Sequence, residues 1–188
     1  MTNETDNKIF IQRYHTPCGE MILGSYGDSL CMCNWVNEKH PGRIERRLLS
    51  KLKAHYVEAP SAITDEARRQ LDEYFSHTRK VFDIRLLLIG TEFQKRVWQE
   101  LTQIPYGQTV SYKELAENLG HKNAVRAVAN ANGANAISIF VPCHRVIGSD
   151  KKLTGYGGGT EAKLYLLKLE QAVTAGEELP TAGLRQRN

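Results

Sequence analysis

The residues best suited to chemistry are three neighbours in the C-terminal half, Cys143, His144 and Arg145. They follow the apolar run 137–141 and Pro142, so a reactive group would lie on a buried support. A cysteine thiol is mostly protonated at neutral pH, and its thiolate is the nucleophile. An imidazole close by, directly or through one water, can take the proton, and a guanidinium favours the thiolate. The triplet therefore predicts an activated cysteine.

The alternative for Cys143 is an inert, buried thiol, because free cysteine is among the most buried residue types and Cys-His pairs also arise by chance. Pro142 fixes its own φ and favours extended backbone at Val141, so the chain must turn where the thiol lies. The sequence that flanks the pair decides between the two interpretations.

Composition and charge limit the kind of protein this can be. The chain has 188 residues, 41% apolar and 24% charged, as in soluble globular proteins, and this length can hold one core or two small domains. No apolar run could span a bilayer, and residues 1–7 are too polar for a secretory signal, so we expect a cytoplasmic protein without a membrane partner. The net charge is +4, and residues 118–149 contain no Asp or Glu but include Lys122, Arg126 and Arg145. This segment is therefore suited to approach phosphates.

A second set of possible ligands lies in the N-terminal half and consists of His15, Cys18, Cys31, Cys33 and His40. Its spacing is not a paired C-x-x-C pattern, and Cys31 and Cys33 would face the same side of a strand as core residues. We therefore predict reduced structural thiols and no metal site. The chain also lacks a phosphate-binding G-x-x-x-x-G-K-[ST] loop, and no G-x-G-x-x-G joins a strand to a helix, so we expect no cofactor.

The surrounding elements predict an α+β fold. Residues 1–90 are expected to form one domain with a small antiparallel sheet, because turn signals separate three short apolar segments: Lys8–Tyr14, Glu20–Ser25 and Ser29–Val36. Apolar residues at helical spacing predict two helices, around 44–52 and 67–75. Residues 81–88 are expected to be extended, with a hinge to the second domain at Ile89-Gly90.

Residues 91–172 are predicted to be a mostly helical, catalytic and DNA-binding domain. Two capping boxes begin amphipathic helices: Thr91 to Gln94 and Ser111 to Glu114. Asn123 is expected to cap a third helix that ends at Gly133. The glycine turn at 120–122 before it gives the outline of a helix-turn-helix.

The third and last helices carry side chains of interest. Residues 124–132 are nearly all small, with Arg126 near the start, so this slim helix could enter a narrow groove and insert one cation. The alternative is a plain helix packed through its alanines, with a solvated arginine. Thr160 is expected to cap the last helix, and Glu170 near its end needs a buried partner, for which His144 is a candidate. Residues 173–188 are predicted to be a polar tail.

The segment Val141-Pro142-Cys143-His144-Arg145-Val146, between a helix-turn-helix and the loop Tyr156–Gly159, closely resembles the O6-alkylguanine-DNA alkyltransferases. The resemblance extends from about Thr91 to Gln171. It implies a ribonuclease-H-like N-terminal domain and a winged-helix-like C-terminal one. It also implies DNA repair by a monomer that moves an alkyl group from O6 of guanine or O4 of thymine in double-stranded DNA to Cys143, once and irreversibly.

The same resemblance implies roles for single residues around the thiol. His144 would act as a base through a water, Glu170 would orient the imidazole, and Asn135 would brace the turn. Tyr112 would push on the phosphate during base flipping and then contact the flipped guanine. Together with Cys143, these four residues form the predicted catalytic set.

DNA contacts and pocket residues follow from the resemblance as well. Arg126 would fill the vacated base stack from a helix in the minor groove, whose other DNA-facing positions are Asn123, Ala127, Asn130 and Gly133. The carbonyls of Cys143 and Val146 would accept from the exocyclic amine of the base, while a loop closes over it at Tyr156, Gly157 and Gly158.

Two departures from relatives change the expectation. Tyr26 and Cys31 stand where some relatives have zinc-binding cysteine and histidine, so we do not infer zinc. Gly157 stands where some relatives have serine, which removes a side-chain donor but keeps the backbone one. With Ala136 beside the active strand, this predicts a roomier pocket that accepts larger alkyl groups.

Three other functions compete with this interpretation. A non-catalytic lesion-binding relative would lack the acceptor cysteine, whereas Cys143 is present. A helix-turn-helix regulator with a sensing cysteine needs a recognition helix rich in base-reading side chains, and the alanine-rich helix offers few. A cysteine hydrolase needs an oxyanion hole and turns over many times, so turnover number separates it from a self-alkylating protein.

Overall fold

The computed structural model describes residues 7–171, and this part of the chain has a mixed α/β fold. The tail predicted for 173–188, and the end of the predicted second domain at residue 172, lie outside the described residues. Within 7–171, no helix is long and apolar enough to cross a membrane.

The N-terminal sheet is mixed, not antiparallel as the sequence predicted. Strands β1 (Lys8–Thr16), β2 (Gly19–Tyr26) and β3 (Ser29–Trp35) form the expected antiparallel meander. A further strand, β4 (His55–Glu58), pairs in parallel with β1, so that the strand order is β3-β2-β1-β4. Four residues of mixed polarity carry too little periodicity to predict a strand. This strand pairs because the preceding helix returns the chain to the same end of the sheet.

Two helices follow the meander and support the sheet. Helix α1 (Arg43–Leu52) leads into β4, and α2 (Ala62–Phe75) packs against the first three strands. The Ser61 side chain accepts from the backbone N–H of Thr64, which satisfies one of the free donors at the start of α2. Both helices lie within a residue or two of the predicted positions at their C-terminal ends, because their apolar spacing is clear.

Four helices follow in the C-terminal half: α3 (Glu92–Leu101), α4 (Tyr112–Asn118), α5 (Val125–Gly133) and α6 (Gly159–Leu169). Both predicted capping boxes are confirmed, with Thr91 and Gln94 at α3 and Ser111 and Glu114 at α4. The short strands β5 (Val110–Ser111) and β6 (Val146–Ile147) pair in parallel. This pairing holds the segment after Cys143 beside the start of α4.

Two predicted helix starts are wrong. The N-cap of α5 is Ala124, not Asn123, because a tight turn in which the Ala124 N–H donates to His121 O (2.8 Å) leaves Asn123 inside the turn. The end of α5 agrees with the prediction, because Gly133 is its last residue and Ala134 is the C-cap. At α6, a turn between Gly159 N and Tyr156 O (3.0 Å) starts the helix at Gly159, one residue before the predicted cap.

The two halves are joined through the free edge of β3. Cys33 donates to Ala136 O (2.9 Å) and accepts from Ser138 N (2.8 Å), which adds the segment before the active cysteine to the sheet. Leu30 pairs in the same way with the extended segment around Leu86. The segment that precedes Cys143 is therefore fixed to the N-terminal sheet by backbone hydrogen bonds.

Candidate active site

The turn that carries Cys143 is built by Asn135. Its side-chain amide donates to Val141 O (2.9 Å) and its carbonyl oxygen accepts from Ile137 N (2.9 Å), so one side chain ties both arms of the turn. The same amide lies 3.2 Å from Cys143 Sγ. After Pro142 the chain makes a single 3₁₀ turn, Cys143–Arg145, closed by Arg145 N to Pro142 O at 3.0 Å.

Cys143 is buried, with 5% of its surface exposed. Burial raises the pKa of its thiol, while the Asn135 hydrogen bond and the nearby charge of Lys163 oppose that rise. The net direction is upward, so the resting thiol is protonated at neutral pH. Reaction at this thiol requires a base.

His144 is fully buried beside Glu170, with Nε2 2.8 Å from Oε1. Burial lowers the pKa of His144, and the carboxylate only partly opposes this, so the imidazole is neutral at rest. Because an ionised carboxylate can only accept, Nε2 carries the proton and Nδ1 carries the lone pair. Nδ1 is buried and has no hydrogen-bond partner among residues 7–171. The imidazole is therefore in the form that can accept a proton.

Glu170 is the centre of a buried network. Arg145 donates to both of its oxygens (2.9 and 3.0 Å), and the Tyr74 hydroxyl donates to Oε1 (2.6 Å). Burial alone would raise the pKa of Glu170, but the hydrogen bonds from His144 and Arg145 and the charge of Arg145 outweigh it and lower the pKa well below its usual range. Glu170 therefore stays ionised at neutral pH and holds the imidazole in one orientation.

Arg145 differs from the sequence expectation. Its guanidinium was expected to favour the thiolate, but it donates hydrogen bonds to Glu170 and to Ile104 O (2.6 Å) instead. Neither this pairing nor the role of Tyr74, 96 residues from Glu170, has a local signal in the sequence.

Lys163 is a further buried charge beside Cys143 that the sequence did not indicate. It is fully buried, and its Nζ donates to Val146 O (2.5 Å) and Thr154 O (3.0 Å). Burial lowers the pKa of Lys163 to about 8, and the proximity of Cys143 opposes this shift. The available signal was spacing, because Lys163 and Glu170 are seven residues apart and so share one face of α6.

A cleft of ≈ 660 Å³ lies between α5, the loop around Tyr156 and the N-terminal half. Predicted residues on its walls are Tyr112, Arg126, Asn130, Gly133, Tyr156 and Gly157. The N-terminal half adds Lys39 and His40 from the loop before α1, and Arg43 at the start of that helix. Arg126, Asn130 and Gly133 are exposed, as are Asn123 and Ala127, which do not line this cleft. The α5 surface and the N-terminal loop therefore face each other across the cleft.

A cavity of ≈ 20 Å³ lies against Cys143 and shares Gly133, Gly155, Tyr156 and Gly157 with the cleft. Such a volume holds one water-sized group. Gly158, the last of the predicted pocket residues, caps α6 behind this wall. Val146 and Cys143 carbonyls already accept from Lys163 (2.5 Å) and Asn132 (3.5 Å), and each oxygen keeps a second lone pair.

Comparison with known proteins gives one consistent result. Residues 92–172 match the family described as "6-O-methylguanine DNA methyltransferase, DNA binding domain". A "Methylated-DNA--protein-cysteine methyltransferase" of Methanosarcina acetivorans is 56% identical over 84% of this chain and 95% of its own length. The chain belongs to the methylated-DNA–protein-cysteine methyltransferase family. The protein of the same name from Methanosarcina barkeri is 44% identical over 81% of this chain and 96% of its own.

Solved structures of the methyltransferase family have the same fold. The crystal structure of Mycobacterium tuberculosis OGT in complex with DNA matches with a TM-score of 0.76 and 41% identity, over 87% of this chain and 93% of that one. The family resemblance predicted from residues 141–146 is thus confirmed. Among residues 7–171, no group of three or more His, Cys, Asp or Glu side chains is placed to hold a metal ion.

Proposed function

We propose that this protein repairs DNA by moving an alkyl group from O6 of guanine, or O4 of thymine, to Sγ of Cys143, once per chain. The observation that carries the proposal is the buried thiol with a neutral imidazole next in sequence, beside a cavity that adjoins the cleft under α5. Membership of the methyltransferase family supports it. The relative whose crystal structure contains DNA supports double-stranded DNA as the partner.

The chemical step is a displacement at the alkyl carbon. His144 Nδ1 takes the thiol proton through one water, the bond from Sγ to the alkyl carbon forms, and the bond from that carbon to O6 breaks. The departing guanine takes up one proton as the bond to O6 breaks. The proton lost by the thiol is therefore matched by the proton gained by the base. Glu170 stabilises the imidazolium, and Lys163 favours the thiolate. The product thioether has no hydrolysable bond, so the protein is consumed and needs no cofactor.

DNA binding positions the base for this step. A base inside a duplex cannot reach a buried thiol, so it must be flipped out, at a cost of about a few kcal/mol. Arg126 fills the vacated stack, as inserted side chains of minor-groove proteins do. Asn123, Ala127, Asn130 and Gly133 present a slim, exposed surface of α5 to the minor groove.

The pocket receives the flipped base. Tyr112 moves the phosphate and then contacts the guanine, the carbonyls of Cys143 and Val146 accept from its amine, and Tyr156, Gly157 and Gly158 close over O6. Gly157 and Ala136 make this pocket accept larger alkyl groups. Transfer from O6-benzylguanine tests that extension, and complete resistance would contradict it.

The domain description is part of the same proposal. Residues 1–90 form a ribonuclease-H-like domain, which the antiparallel meander and the parallel β4 support. Residues 91–172 form a winged-helix-like domain, supported by the family match at 92–172. The protein acts as a monomer in the cytoplasm.

The test measures how many guanines are formed for each protein molecule. A duplex with one O6-methylguanine is incubated with limiting protein, and its nucleosides are quantified. We expect one guanine to appear for each protein molecule and none with Cys143→Ser. Continued turnover would instead indicate a hydrolase, and tight lesion binding without guanine formation would indicate a lesion sensor.

A further inference from the structure

Trp35, at the end of β3, lies directly beneath the pocket loop. Its side chain is buried, with 3% exposed, and its ring meets Tyr156 edge-on with 5.9 Å between ring centroids. Tyr156 in turn meets the His144 ring edge-on at 6.5 Å. An aromatic side chain of the N-terminal sheet is therefore one residue away from the catalytic imidazole.

The loop backbone rests on the indole at Gly158. A Cβ added at Gly158 would lie 2.6 Å from Cδ2 and Cε2 of Trp35, which no side chain could tolerate without movement. The backbone of Gly158, with φ −83° and ψ 4°, is open to any residue, so backbone conformation does not require glycine there. Glycine is required at position 158 because the Trp35 ring lies so close to the backbone.

The indole has little freedom to yield. On its other side, a Cβ at Gly19 would lie 3.1 Å from Cζ3, so the ring is held between the β1–β2 turn and the pocket loop. The Val36 N–H donates to Glu20 O (2.9 Å), which fixes the end of β3. Buried packing of this kind transmits displacement because it contains few voids.

We propose that Trp35 is a positioning residue for alkyl transfer, which supports the loop Tyr156–Gly158 at the height where it closes over the Cys143 cavity. This inference rests on the proposed function and adds to it a role for the N-terminal domain in the transfer rate. Trp35 itself lines neither the cleft nor the Cys143 cavity as the structure describes them in residues 7–171. It therefore affects transfer and not duplex affinity.

The test is a double-mutant cycle in the full-length protein, with the transfer rate constant measured at saturating lesion-containing duplex. Gly158→Ala pushes the loop off the indole, and we expect the rate to fall about 10- to 100-fold, as small displacements of reacting groups do. Trp35→Ala also lowers the rate, because the loop loses its support. In the double variant the overlap is gone, so its rate exceeds the product of the two single effects.

Gly90→Ala is the matched control. A Cβ at Gly90 would lie 2.5 Å from Cη2 of the other tryptophan, Trp98, so it creates the same kind of overlap away from the loop. Trp35→Ala is expected not to relieve it. Undamaged-duplex affinity of Trp35→Ala is expected to match the wild type.

Three results would overturn the inference. The first is that the losses of transfer rate in Gly158→Ala and Trp35→Ala are additive in the double variant. The second is that Trp35→Ala relieves Gly90→Ala as much as it relieves Gly158→Ala, and the third is a fall in duplex affinity of Trp35→Ala that accounts for its loss of rate. A wild type that transfers no methyl would refute the proposed function instead. In that case the unfolding free energies of the wild type, the two single variants and the double variant still test the contact between Trp35 and Gly158. We expect the two single changes in unfolding free energy to be non-additive, and additive changes would contradict the contact.

Discussion

At the scale of single residues, the buried charges of the site converge on Glu170. This carboxylate has three side-chain partners from two separate parts of the chain: His144 and Arg145, which are neighbours, and the distant Tyr74. The sequence predicts the catalytic turn well, because Pro142, Cys143 and His144 are contiguous. It cannot predict Tyr74 or the use of Arg145, since those contacts depend on how distant elements pack.

Glu170→Gln is expected to destabilise the protein by about 3–5 kcal/mol, because it leaves the buried Arg145 guanidinium without a counter-charge. Tyr74→Phe removes one donor and keeps the charge pair, so its expected cost is about 1 kcal/mol. Denaturant unfolding of both variants measures this. The folded pKa of Glu170 is depressed, so its contribution is present at neutral pH and is lost only as pH falls through that low pKa. Equal costs for the two variants would contradict the central role of the carboxylate.

Lys163 gives the transfer rate a pH dependence. Its pKa is lowered to about 8, so its charge, which favours the thiolate, is lost as pH rises through that value. We expect the single-turnover rate to decline above pH of about 8. Lys163→Met is expected to be slower and to lack this decline. A decline that persists in Lys163→Met would assign it to another group.

At the scale of elements, the predictions that rest on local sequence signals are correct, and those that depend on long-range packing or on backbone turns are not. The capping boxes of α3 and α4 are correct because each involves residues three apart. Strand β4 was missed because its pairing with β1 depends on the helix between them. The starts of α5 and α6 were misplaced because backbone turns, at His121 and Tyr156, take precedence over side-chain caps. The seven-residue spacing of Lys163 on α6 and Glu170, the C-cap of that helix, is a local signal that places both on one face.

Arg126 tests the role of α5. Arg126→Ala is expected to slow transfer from a duplex about 10- to 100-fold, because an unfilled stack raises the flipping cost by about 1 to 3 kcal/mol. Transfer from free O6-benzylguanine needs no flipping and is expected to stay near the wild-type rate. Lys122→Ala, which removes an exposed cation before α5, serves as the charge control. Equal loss on duplex and free base would contradict the role as a wedge.

At the scale of the whole molecule, the N-terminal sheet supports the candidate active site of the C-terminal half. Strand β3 holds the segment before Cys143 through Cys33, and its last residue, Trp35, contacts the pocket loop. Neither connection is visible in the sequence, which predicted two units with a hinge at Gly90. Strand β3 also carries Cys31 and Cys33, and both are buried. Burial raises the pKa of the Cys31 thiol to about 12, so this thiol is not expected to compete with Cys143 for an alkyl group.

The central claim is that Cys143 itself receives the alkyl group. The most direct measurement is the intact mass of the wild type and of Cys143→Ser after incubation with excess duplex that contains one O6-methylguanine, followed by peptide mapping. We predict a gain of one methyl on the wild type, located on the Cys143 peptide, and none on the variant. A wild type that gains no mass, or that gains it on another residue, would contradict the account.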